Sequence, residues 1–111
     1  MAKKESKLPE GVTAEMVAEW KQQYGTVKLA SLQDENGEFL RQVVMRVPNR
    51  KTIGEFEKWI DKQPLKAKEI LVNGCLLTDK EAVKADDVLF SAAFSASVEL
   101  MPMGKYVLED L

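Results

Sequence analysis

The chain has 111 residues, 45% hydrophobic and 31% charged, with a formal net charge of -2 and no histidine. That length suits one domain, burying about two thirds of its unfolded surface without staples, and the slightly acidic balance gives no general pull toward nucleic acid or anionic lipid. A single cysteine and no histidine exclude an internal disulfide, the usual metal-ligand sets, and the Ser-His and Cys-His nucleophile arrangements.

Residues 1–11 combine charge with Pro9 and Gly11 and lack apolar periodicity, which predicts a flexible tail before a single α+β domain over 12–111. No apolar run follows the early lysines, and none elsewhere reaches the roughly 18 residues that span a bilayer. The expectation is a cytoplasmic protein. Thr13 is placed to cap a first helix, with Glu15 in its first turn, Met16, Val17, Trp20 and Tyr24 at helical spacing, and Gly25 as the stop. In that helix Trp20 and Tyr24 read as core anchors.

Thr26 to Leu32 and Phe39 to Val47 flank the turn chemistry of Asp34-Glu35-Asn36-Gly37 and predict an antiparallel hairpin. Phe39, Val43, Met45 and Val47 form its core stripe, Gln42, Val44 and Arg46 a half-exposed face, and Pro48 ends the second strand. Thr52 and Glu55 have capping-box spacing for a second helix carrying Ile53, Phe56, Trp59 and Ile60, which Gln63-Pro64 breaks.

The segment from Leu65 to Leu77 admits two readings. Ala67, Ile70, Leu71 and Cys75 fit a helical face, yet Ile70-Leu71-Val72 and Cys75-Leu76-Leu77 flank Asn73-Gly74, a strong hairpin-turn signal. The hairpin version gives the element order of a ubiquitin-like β-grasp. Thr78 to Lys84 reads as a loop or single turn, with Asp86 or Asp87 capping a last, largely apolar helix. On that helix Val88, Leu89, Ala92, Ala93, Ala96 and Leu100 form one side and Phe90, Phe94, Val98 and Met101 a second, leaving Ser91, Ser95 and Glu99 as the polar seam. Two apolar sides need protein on both, so Leu89, Phe90, Ala93, Phe94, Val98, Leu100 and Met101 are the candidate partner-binding residues. Residues 102–111 read as a frayed or partner-dependent tail.

The remaining constellations have bland explanations. Asp79, Glu81, Asp86 and Asp87 lack the alternating loop ligands of a calcium site. Arg41, Arg46, Arg50 and Lys51 make a local basic group without interleaved exposed aromatics. Cys75 has no base to activate it, and the glycines form no phosphate loop. No enzyme activity, cofactor or metal is expected.

Three stretches resemble a family of tail assembly chaperone-like proteins of tailed phages and prophages. They are Val17 to Val27, with the pattern WK..YG.V; Arg46-Val47-Pro48; and Pro64 to Leu77 followed by an acidic loop and Asp86 to Ala92. The resemblance covers about Val12 to Met101, and Leu76 stands where the family pattern has a tryptophan after the cysteine. It implies an α+β fold in the order α, ββ, α, α, α around the apolar C-terminal helix, with the third segment helical. It further implies a chaperone that holds a tape-measure-like or other tail protein during tail assembly, with homo-oligomers open and neither nucleic acid nor membrane as partner. The β-grasp adaptor is the alternative.

Overall fold

The computed structural model describes residues 8–111, so most of the tail expected over 1–11 lies outside the described residues. The chain is an α+β fold in the order α1 (Ala14–Tyr24), β1 (Val27–Gln33), β2 (Phe39–Arg46), α2 (Arg50–Trp59), α3 (Pro64–Cys75), α4 (Lys80–Ala85) and α5 (Asp87–Leu100). Helix, hairpin and following helices stand as the sequence predicts. The short α4 is added where a loop or single turn is expected, with Val83 fully buried.

α1 begins where the Thr13 side chain accepts a hydrogen bond from the Met16 amide at 3.1 Å, and it stops at Gly25, whose φ of 87° few other residues adopt. None of its residues is buried. Trp20 and Tyr24 are half-buried rather than core, and the Arg46 guanidinium lies 4.1 Å over the Tyr24 ring. A cation over an aromatic face contributes about 0.5–1 kcal/mol where water has access.

The hairpin pairs Val27 with Arg46 through Leu32 with Arg41, and a bulge shifts the register between Leu32 and Gln33. Its turn is built on Asp34, whose Oδ1 accepts from the amides of Asn36 and Glu38, both at 2.9 Å. One face brings together Ala30, Leu32, Val43 and Met45, and this face meets the core. On the other, Gln42 and Arg46 are half-exposed as predicted, whereas Val44 is buried. The bulge breaks the alternation at its far end, so Phe39 leaves the core stripe and stands 62% exposed.

α2 starts earlier than the expected capping box. Asn49 caps it, accepting from the Thr52 amide at 2.8 Å, so Thr52 is already inside the first turn. A tight connection through Gln63, with Pro64 in the first turn of α3, folds α3 back onto α2.

α3 resolves the ambiguous segment as helix through Cys75, so the second hairpin of a β-grasp does not form. Ala67, Leu71 and Cys75 recur at four-residue spacing on its buried face, with Val72 beside them. Gly74 serves close helix packing here, not a turn: a Cβ at that position would lie 2.5 Å from Thr52 Cγ2 of α2. Beyond α3 the chain turns extended. Leu76 bridges Met45, the Leu77 amide donates to the Val44 carbonyl at 2.9 Å, and the Val44 amide donates to Thr78 Oγ1 at 3.1 Å. The outer edge of β2 is therefore occupied around Val44 and Met45.

This packing predicts that Gly74→Ala destabilises the fold by about 1–3 kcal/mol through overpacking against a stiff β-branched neighbour. Adding Thr52→Ala removes the clashing methyl and hydroxyl, and the double variant should regain most of that loss in chemical denaturation.

Candidate partner-binding surface

α5 carries six of the seven candidate residues, and the seventh, Met101, is its C-cap. Asp86 starts it, Oδ1 accepting from the amides of Val88 at 2.9 Å and Leu89 at 3.0 Å, and Asp87 in the first turn suits the helix dipole. Leu89, Ala93 and Ser97, one turn apart, face inward and are buried. Burying the Leu89 side chain contributes about 2 kcal/mol. Ser97 is satisfied despite its burial, because its hydroxyl donates to the Ala93 carbonyl at 2.8 Å.

Phe90, Phe94, Leu100 and Met101 are half-buried and pack on the flanks of the same core. The Phe94 ring lies 6.1 Å from that of Phe56 on α2, tilted by 49°, and Lys68 Nζ of α3 lies 5.3 Å from its centroid. Val98 is the exposed member of the seven, at 41%. The second apolar side is thus largely covered within the chain, because the α2 and α3 pair presents Phe56 to it. Solvent instead meets the polar seam of Ser91, Ser95 and Glu99, with Val88 and Val98 beside it.

Arg41 Nη1 is 3.1 Å from Asp79 Oδ2, an exposed ion pair of the kind that contributes up to about 1 kcal/mol. Among the described residues no group of three or more His, Cys, Asp or Glu could hold a metal ion, and no helix is long and apolar enough to cross a membrane. Cys75 is fully buried and unpaired. Burial pushes its thiol above the ordinary value of 9.0, while the Ser97 side chain and the Arg46 charge pull it down by less.

Two apolar features lie outside the expected set. One is Phe39 with Leu40 at the hairpin tip, re-aimed by the bulge. The other is the segment after α5, without helix or strand, where Tyr106, Val107 and Leu108 stand 79%, 84% and 82% exposed. Three apolar residues in a row were the available signal for it.

No protein-family model matches the chain, and no curated protein matches it. An uncharacterised protein from Bacillus stearothermophilus has a similar structure, with a TM-score of 0.57 over 85% of this chain and 99% of that one. At 19% identity the likeness is one of fold.

The Cys75 environment makes a prediction about thiol chemistry. A disulfide reagent at pH 8 should leave the native protein unmodified and label one thiol per chain once it is unfolded. Because the folded thiol holds its proton to higher pH than the unfolded one, its contribution to stability is complete below the ordinary value of 9.0 and declines as pH rises above it. Cys75→Ala should flatten that part of the stability-against-pH curve.

Proposed function

We infer that the chain is a non-enzymatic interaction protein of the phage or prophage tail assembly chaperone kind. In this reading it works in the host cytoplasm, holding a long tape-measure-like helical protein while tail subunits assemble. What supports the reading is that the stretches carrying the resemblance meet in space. Arg46 of the second stretch lies over Tyr24 of the first at 4.1 Å. The third stretch is helix as far as Cys75, and its next residue, Leu76, bridges Met45, the neighbour of Arg46. Residues far apart in sequence thereby form one connected unit. The element order that the resemblance implies is also present apart from the added α4.

Within this reading the candidate residues have different tasks. Val98, Leu100 and Met101, at the accessible end of α5, meet the partner helix. Phe90 and Phe94 border that surface, and Leu89 and Ala93 hold α5 in place from beneath. Recognition of an apolar helix stripe needs accessible apolar surface and no catalytic group.

Capture of the full chain from its source cells after prophage induction, followed by mass spectrometry, tests the reading. Near-stoichiometric recovery of a long, helix-rich tail protein is expected. Val98→Asp, a surface change that should alter stability by no more than about 0.5 kcal/mol, should reduce that recovery severalfold. Phe94→Asp, which buries a carboxylate against Phe56, should lower stability by at least about 3 kcal/mol. Recovery of no long helical protein, or recovery unchanged by both Val98→Asp and Met101→Asp, would contradict the assignment.

A further inference from the structure

The hairpin has one occupied edge and one open edge. β2 is flanked by β1 on one side and by Leu76 to Thr78 on the other, whereas β1 pairs along Val27–Gln33 with β2 alone among the described residues. An edge strand with unpaired amides and carbonyls is a template for another strand. Beside it runs an open groove of about 410 Å³ whose walls include Lys28, Ala30, Met45, Ala96, Glu99 and Leu100. A second groove, at the other end, joins Gln33, Asp34 and Glu35 to Asp87, Val88 and Ser91. α5 therefore runs antiparallel to β1 and ends near Lys28.

Residues 105–111, Lys-Tyr-Val-Leu-Glu-Asp-Leu, equal β1 in length and have no regular backbone pairing of their own. Charge fixes the direction in which they fit. β1 is basic at its start, at Lys28, and leads into Asp34 and Glu35 at its end; the segment is basic at Lys105 and acidic at Glu109 and Asp110. Antiparallel docking sets opposite charges together at both ends, and parallel docking sets like charges together. A chain folding its own segment back from α5 would start at the Lys28 end and run parallel to β1, the disfavoured direction. Docking in the favourable direction calls for a segment from another molecule.

We propose that residues 105–111 of one copy add as an antiparallel strand to the free edge of β1 in a second copy, with Asp110 opposite Lys28, Leu108 opposite Ala30 and Tyr106 opposite Leu32. Strand addition gives affinity through the backbone and specificity through alternate side chains. In this register Tyr106 and Leu108 share the face on which the groove opens. Each copy offers one edge and one segment, so reciprocal exchange closes a two-fold pair. The proposal is independent of the tape-measure reading, since it requires no other protein.

Sedimentation equilibrium of the full chain between about 5 and about 500 μM tests it, alongside amide chemical shifts over the same range. The expected mass rises from 12.5 kDa to twice that, with shifts concentrated in Lys28 to Leu32 and Tyr106 to Asp110. Lys28→Glu and Asp110→Lys should each weaken association about tenfold by placing like charges together, and the double reversal should restore it. Leu108→Asp should leave a folded monomer. A mass that stays at one chain throughout, a dimer indifferent to Leu108→Asp, or a charge reversal that is not rescued would overturn the proposal.

Discussion

The fold turns on the place where α3 runs out into extended chain against β2. At that point a helix, a strand and a neighbouring helix share one dry volume. Leu71, Val72, Cys75 and Leu76 meet Val43 and Met45 on one side and Leu89 and Ala93 on another, in a single cluster of buried residues. Because Leu76 bridges Met45 and the Leu77 amide bonds the Val44 carbonyl, the end of α3 also closes the outer edge of β2. A two-stranded hairpin is marginal alone in water; this one is secured by the helix end on its edge and by α5 on its face. The C-terminus of α3, the hairpin register and the placement of α5 are consequently coupled. A change at Leu76 should be felt at all three.

Much of this arrangement was legible in the sequence because local signals and tertiary demands agreed. Thr13, Gly25, Asp34-Glu35-Asn36-Gly37 and Asp86 each carry turn or cap chemistry that the structure uses in place. Local signals were ambiguous or misleading where a tertiary contact overrides a local preference. Asn73-Gly74 is a strong hairpin signal, but α3 needs a residue without a Cβ at Gly74 to approach Thr52, and the Ala67, Leu71 and Cys75 face had only one core to meet. Thr52 looked like a cap because Asn49, three residues earlier, gave no apolar cue of its own. Phe39 fits the alternation of its strand, and only the bulge, which depends on pairing, moves it to the surface.

The candidate surface was legible in composition more than in geometry. An apolar helix needs protein on two sides, and the periodicity names the residues that line them. It could not tell that Phe56 of α2 would take Phe94, because that contact depends on how α2 and α3 fold together. The apolar surface of α5 left uncovered is narrower than the periodicity suggests. Val98 is its exposed member, with Leu100 and Met101 half-buried at the same end of the helix.

Backbone chemical shifts over residues 64–78 show whether α3 runs out against β2 in solution. Helical Cα and carbonyl shifts are expected without interruption from Pro64 to Cys75, passing through Asn73 and Gly74, with extended shifts at Leu76 and Leu77. Extended shifts over Ile70 to Val72 and Cys75 to Leu77, with a turn at Asn73-Gly74 between them, would contradict it. That result would replace the helical seam with a second hairpin and return the chain to a β-grasp architecture.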